Sequence, residues 1–121
     1  MTRERLALGR SGEARAARFL EGLGWKILDR CWRTRFGEID LVASDGEVLV
    51  FVEVKTRSAA GAFFPEAAVG KAKQGRLIRS ALCYLQAREI QDRELRFDVL
   101  AWDGAECRHI RGAFEADGYS R

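Results

Sequence analysis

Apolar residues recur along this chain with two different periods. A helix-like spacing of about 3.6 residues runs through residues 2–23 and stops at Gly24, a residue type that commonly follows a helix end. A second such stretch begins near Ala67 or Lys71 and extends to about Arg88. The pattern therefore predicts two amphipathic helices.

Five shorter segments, rich in aliphatic, β-branched and aromatic residues, predict strands. They cover residues 25–33, 37–43, 48–56, 95–102 and 106–111. The order of elements is then α-β-β-β-α-β-β. No internal repeat, low-complexity tract or linker divides the chain, so we expect one α/β domain over residues 1–121.

Composition adds an expectation about the cellular compartment. The N-terminal stretch carries a charge every few residues and has no apolar run of signal-peptide or membrane-spanning length. The three cysteines are widely spaced, and His109 is the single histidine. This makes disulfides and structural zinc unexpected. We expect a cytoplasmic protein with no membrane partner.

The charges are unevenly distributed, although the net charge is only +3. Residues 1–35 and 55–96 each carry nine basic and four acidic side chains, whereas residues 36–54 carry five acids and no base. An acidic island thus lies inside a basic frame. The frame would attract a polyanion, and the island would repel it unless a cation is bound there.

The acidic island coincides with a predicted β-hairpin. If Asp45-Gly46 forms the two-residue turn, paired positions sum to 91, which sets Glu38 opposite Glu53 and Asp40 opposite Phe51. Asp40 is then the diagonal neighbour of Glu53. Because side chains alternate with period two, the acids would share one face of the hairpin.

Lys55 belongs to the same face, two residues after Glu53. One or two carboxylates with water and substrate phosphate form a typical Mg²⁺ or Mn²⁺ site, and a nearby lysine can position water and offset developing negative charge. This arrangement suits metal-assisted phosphodiester hydrolysis. A solvated face with ordinary cross-strand ion pairs fits the spacing equally well.

The same residues resemble a known nuclease signature. Asp40, twelve residues, and then Glu53-Val54-Lys55 are similar to the PD-(D/E)XK motif of restriction-endonuclease-like enzymes, with Ile39 in place of the usual proline. The longer segments GEIDLVA, LVFVEVKTR and RFDVLAW, with the early helix GEARAARFL, closely resemble the YraN family of small bacterial nuclease-like proteins. The resemblance spans residues 9–114, and that family is similar in turn to archaeal Holliday junction resolvases.

The resemblance implies a mixed central sheet flanked by helices and a site built on Asp40, Glu53 and Lys55. It also suggests that Glu13 is a further metal or water ligand. The local pattern agrees, since Glu13, Ala17 and Leu20 lie on one helical stripe. A surface or helix-end acid is the alternative interpretation of Glu13.

Two basic residues are candidate contacts to nucleic acid. Lys71 continues the inward stripe of the second helix from Ile78, and Arg57 follows Lys55 at the end of the third strand. Each has an ordinary alternative: a helix-start lysine with its ammonium in water, or an arginine paired with Glu38. Asp98 and His109, in the last two strands, are interpreted as structural residues.

These observations favour a Mg²⁺- or Mn²⁺-dependent nuclease that acts on DNA, in particular on branched or single-stranded forms. Resolvase-like relatives suggest a homodimer. The alternative is a non-catalytic nucleic-acid-binding or adaptor protein that keeps the nuclease fold. The sequence does not separate DNA from RNA as the polymer recognised.

Overall fold

The computed structural model describes the backbone of residues 3–57 and 69–116, with side chains from Gly12 to Thr56 and from Val69 to Ala116. It contains the predicted order α-β-β-β-α-β-β. The elements are α1 Arg3–Gly22, β1 Lys26–Thr34, β2 Gly37–Asp45, β3 Val48–Arg57, α2 Lys71–Ala87, β4 Leu95–Asp103 and β5 Glu106–Phe114. The largest difference from the predicted strand bounds is in β5, which continues to Phe114.

The five strands form one sheet in the order β1-β2-β3-β4-β5. All neighbouring strands are antiparallel except β3 and β4, which are parallel. A parallel pair requires a crossover connection, and α2 lies on that connection. The predicted α/β class with a mixed central sheet is therefore confirmed, and the almost continuous apolar run of β3 is explained by its central position.

The helices cover opposite faces of the sheet. The core under α1 includes Ala16, Ala17, Leu20, Leu41, Val50 and Val52. The core under α2 includes Ile78, Ala81, Leu85, Val42, Phe51 and Phe97. Alternate residues of β3 thus feed the two cores, as the period of a strand requires. In the described part of the chain, neither helix is long and apolar enough to cross a bilayer.

The predicted register of the β2–β3 hairpin is wrong by two residues. Asp45 pairs with Val48, so the two loop residues are Gly46 and Glu47 rather than Asp45 and Gly46. Gly46, at φ 60°, takes the first loop position, where a two-residue hairpin turn favours glycine. Paired positions sum to 93 as a result, and Phe51 lies opposite Val42. A shift of two residues leaves each side chain on its predicted face.

A close approach between α1 and β3 depends on Gly12. A Cβ atom at this buried glycine would lie 2.6 Å from Oγ1 of Thr56 and 4.0 Å from Cγ1 of Val54. The first distance is far below van der Waals contact. The missing side chain therefore lets α1 lie against the end of β3, next to the position of Glu13.

A buried network joins β4 to β5 on the α1 side of the sheet. The fully buried carboxylate of Asp98 accepts hydrogen bonds from Arg96 at 2.9 and 3.1 Å and from the Gly112 amide at 3.0 Å, and His109 Nε2 lies 2.8 Å from it. Burial alone would raise the pKa of Asp98, but the hydrogen bonds from His109, Arg96 and Gly112 outweigh it and lower the pKa. Asp98 and His109 thus occupy structural positions.

Gly12→Ala should destabilise the protein by about 1–3 kcal/mol through overpacking, even though alanine is the better helix former. Urea unfolding of Gly12→Ala, Thr56→Ala and the double variant would measure the effect. Removing Oγ1 of Thr56 should restore the stability lost by Gly12→Ala. A single Gly12→Ala variant more stable than the native protein would show that the contact is not tight.

Asp98→Asn should cost about 3 kcal/mol, because it removes the buried charge that pairs with Arg96 and accepts the hydrogen bond of the Gly112 amide. Because the pKa of Asp98 is lowered in the folded protein, the carboxyl of the unfolded chain protonates first on acidification. The free energy of unfolding of the native protein should therefore decrease from about pH 5 down to the folded-state pKa. The variant should show a flatter acid dependence in thermal unfolding. Asp103→Asn, at an exposed position of the same strand, is the matched control; equal effects of the two changes would contradict the assignment.

Candidate metal centre

Asp40 lies where the backbone ladder between β2 and β3 ends. That ladder runs from Asp45 opposite Val48 to Leu41 opposite Val52. One position further, Oδ2 of Asp40 accepts a hydrogen bond from the amide of Val54 at 2.8 Å. Extending the register by one pair would place Asp40 opposite Glu53, as a direct rather than a diagonal neighbour. The two acids line the same cleft.

Glu53 is a buried carboxylate with two lysine partners. Glu53 is only 6% exposed to solvent. Oε1 lies 2.6 Å from Nζ of Lys73, at the start of α2, and 3.6 Å from Nζ of Lys55, on its own strand. The charge of Glu53 is thus compensated from two elements, as burial of an ionised carboxylate requires.

These groups border a cleft between the hairpin and α2 with a volume of about 260 Å³. Its lining comprises Phe36, Gly37, Glu38, Asp40, Glu53, Lys73, Arg76, Leu77 and Ser80. Each water molecule occupies roughly 30 Å³ in the liquid, so the cleft has room for an ion with several waters. Acids of the hairpin and basic side chains of α2 therefore face one another across it.

The proximity of these charges alters the acid strength of Asp40. Burial, together with the neighbouring charge of Glu53, raises the pKa of Asp40 to about 7 against the opposing effect of the hydrogen bond from Val54. The charges of Glu13 and Glu38 act in the same direction as that of Glu53. The acids therefore repel one another, and a bound cation would relieve this repulsion.

The pKa values of the two lysines are shifted in opposite directions. Burial lowers the pKa of Lys55, and the adjacent Lys73 lowers it further. Burial also opposes the charge on Lys73, but its hydrogen bond to Glu53 outweighs that effect and raises the pKa of Lys73. Lys73 is therefore the firmly charged partner of Glu53, whereas Lys55 loses its proton more readily than a free lysine.

Glu13 approaches the same region from the other helix. Its carboxylate contacts the thiol of Cys31 in β1, and ligand atoms of Glu13, Cys31 and Glu38 lie within 4.8 Å of one another. Burial, together with the hydrogen bond to Glu13 and the charges of the nearby acids, raises the pKa of the Cys31 thiol to about 12. Glu13 thus lies at the edge of the cluster of acidic side chains around the cleft.

The residues predicted for the site do not all lie at the cleft. Asp40, Glu53 and Lys55 lie together, with Glu13 nearby. Lys71 is exposed at the first position of α2 and does not line the cleft. The backbone of Arg57 ends β3, but its side chain lies outside the described residues.

Sequence reasoning missed Lys73 as a contact of Glu53. It followed the stripe from Lys71 to Ile78, whereas the cleft is lined by the neighbouring stripe of Lys73, Leu77 and Ser80. That spacing of i, i+4 and i+7 was a usable signal. Nothing in the sequence pattern indicated that Cys31 would contact Glu13.

The profile of the uncharacterised protein family UPF0102 matches residues 12–102. The chain belongs to the UPF0102 family. The predicted membership of the YraN family is thereby confirmed, because the two names denote one family. The matched range includes each of the residues that line the cleft or approach it, from Glu13 to Ser80.

Several UPF0102 proteins are similar to this chain over most of its length. The protein from Syntrophotalea carbinolica is 48% identical over 98% of this chain and 100% of its own length. That from Myxococcus xanthus is 45% identical over 93% of both chains. That from Bordetella avium is 47% identical over 95% of this chain and 79% of its own. UPF0102 membership therefore applies to the domain as a whole.

Asp40→Asn should stabilise the metal-free UPF0102 protein at pH 8. A pKa raised to about 7 means that ionising Asp40 costs folding free energy, a cost that grows from about pH 4 and is complete above the folded-state pKa. Thermal unfolding in chelator should show a rise of about 4 °C or more, as roughly 1 kcal/mol produces in a domain of this size.

The advantage of Asp40→Asn should disappear at pH 4, where the native side chain is already protonated. Asp103→Asn, at an exposed position, controls for the change in net charge. Lower stability of Asp40→Asn at pH 8 would instead show that the Val54 amide needs the charged carboxylate as its acceptor.

Proposed function

We propose that this UPF0102 protein is a Mg²⁺- or Mn²⁺-dependent nuclease that hydrolyses DNA phosphodiester bonds, with branched or single-stranded DNA as its substrates. The observation that carries the proposal is the pairing of Asp40 and Glu53 in one cleft with Lys55 beside them. The resemblance of this trio to the PD-(D/E)XK motif supports the same reaction.

The residues present suit a hard divalent cation. Asp40 and Glu53 offer oxygen ligands from neighbouring strands, and the raised pKa of Asp40 reflects a surplus of negative charge that a cation would neutralise. Glu13 and Glu38 supply further carboxylates at the margin. When bound, the metal would polarise the scissile phosphate and make a coordinated water more acidic.

We assign Lys55 the role of activating the attacking water. Its Nζ lies 3.6 Å from Glu53, so it borders the carboxylate that would hold the metal. The lowered pKa of Lys55 makes its neutral amine more accessible than that of a free lysine. In that form it accepts a proton from water, and in its charged form it offsets the negative charge of the transition state.

The wall of the cleft supports a polyanionic substrate. Lys73 and Arg76 line it from α2, and Lys71 is exposed at the first position of the same helix. Together with the basic residues that flank the acidic island in the sequence, they would bind the phosphate backbone without reading bases. Such contacts recognise the backbone and shape of a nucleic acid rather than its base sequence.

A specific observation favours a second function, that of a non-catalytic nucleic-acid-binding adaptor. Glu53 is already compensated by Lys73 at 2.6 Å and by Lys55, so the protein's own cations satisfy the buried charge. On this alternative, the basic wall binds nucleic acid and the carboxylates serve the fold.

The decisive experiment incubates the purified protein with labelled linear, single-stranded, flapped and four-way-junction DNAs in Mg²⁺, in Mn²⁺ and in chelator. We expect cleavage that depends on the metal and falls by about 100-fold or more in Glu53→Gln and Lys55→Met, because each removes a group that acts on the reacting atoms. An RNA of matched structure tests polymer preference.

Matched controls separate catalysis from general charge effects. Glu47→Gln changes an exposed acid in the hairpin loop, and Lys26→Met changes an exposed lysine at the start of β1. Both should cleave like the native protein. Tight DNA binding without cleavage in any metal would instead support the adaptor, and cleavage unchanged in Lys55→Met would exclude the assigned site.

A further inference from the structure

We propose that Lys73 is a displaceable counter-ion of Glu53. It forms an ion pair with Glu53 when no divalent cation is bound, and its side chain moves to contact a backbone phosphate of the nucleic acid when a cation binds Glu53. This inference rests on the proposed function and gives it a residue outside the sequence motif. The charge that stabilises the empty site thereby becomes a contact for the substrate.

The contact distances distinguish Lys73 from Lys55. Lys73 lies 2.6 Å from Oε1 of Glu53, within charge-assisted hydrogen-bonding distance, whereas Lys55 lies 3.6 Å from the same oxygen. Lys73 comes from α2, across the cleft from β3. Its ammonium therefore binds Oε1 of Glu53, the oxygen that the hairpin would offer to a metal.

Simultaneous binding of both cations to this oxygen is unfavourable. Oε1 of Glu53 already has two lysines within 4.0 Å, and a divalent ion would add two further positive charges beside them. Like charges at such distances repel strongly in a cleft of reduced dielectric. Lys73, at 2.6 Å, is the ammonium that competes directly with a metal for this oxygen, and its side chain can turn away on α2 without moving a strand.

The displaced side chain has a suitable place to act. Lys73 is about one-third exposed, at 35% of its side-chain surface, so its ammonium can reach solvent at the mouth of the cleft. Arg76, one helical turn further along α2, lines the same mouth. Two cations on one helix face are well placed for adjacent oxygens of a phosphate backbone.

The first measurement is Mn²⁺ binding to the DNA-free protein by isothermal titration calorimetry. Removing the competitor with Lys73→Met should tighten Mn²⁺ binding by about tenfold. Lys73→Arg keeps a competing charge and should bind Mn²⁺ less tightly than Lys73→Met. The control Lys26→Met, at an exposed position on β1, should stay within about twofold of the native protein, as expected for a surface charge change. Lys73→Gln replaces Lys73→Met if the latter does not fold.

The second measurement is the salt dependence of binding to a single-stranded DNA by fluorescence anisotropy, with Ca²⁺ or with chelator. With Ca²⁺, the slope of log K against log salt should be smaller by about 0.7 in Lys73→Met, the loss expected for one phosphate contact on a single strand. In chelator the native protein and the variant should have equal slopes, because Lys73 is then held by Glu53.

The outcomes separate this inference from the proposed nuclease. Native-level or weaker Mn²⁺ binding in Lys73→Met, with metal-dependent cleavage by the native protein, would overturn the displaceable counter-ion and leave the nuclease intact. A slope difference of equal size in chelator would overturn the transfer of Lys73 to phosphate. No Mn²⁺ binding by the native protein or by any variant would overturn both.

Discussion

The negative charge of Glu53 is the constraint on which the site depends. A carboxylate that is 6% exposed requires compensation close at hand, and here it receives lysines from its own strand and from the facing helix. Because Lys73 belongs to α2, this compensation also fixes where the helix begins relative to the central strand. The same interaction that stabilises the buried charge therefore shapes the cleft.

Both helices contribute to this end of β3, although they cover opposite faces of the sheet. The parallel pairing of β3 with β4 sends the chain across one face through α2, which brings basic residues over the carboxylates. On the other face, the absent side chain of Gly12 lets α1 come close enough to set Glu13 beside Cys31 and Glu38. The acids therefore gather at one point from helix α1 and strands β2 and β3.

Much of this arrangement could be predicted from local pattern. Apolar periodicity gave the element order, and the spacing from Asp40 to Lys55 gave the central trio. The register failed because an Asp-Gly pair marks a hairpin but not which residue occupies its first loop position; Asp45 remained in the strand. Lys73 was missed because two lysines in one helical turn cannot be ranked until the facing strand is known. Tertiary packing decides such choices.

The hydrogen bond between Asp40 and Val54 couples the chemistry of the cleft to the main chain of the central strand. At this one position, a side chain rather than a carbonyl receives the amide hydrogen of β3. Protonation of that carboxylate, or its capture by an ion, alters the strength of the bond directly. The Val54 amide is therefore a natural spectroscopic reporter: its chemical shift and its exchange with deuterated solvent register the charge state of the cleft without any introduced probe.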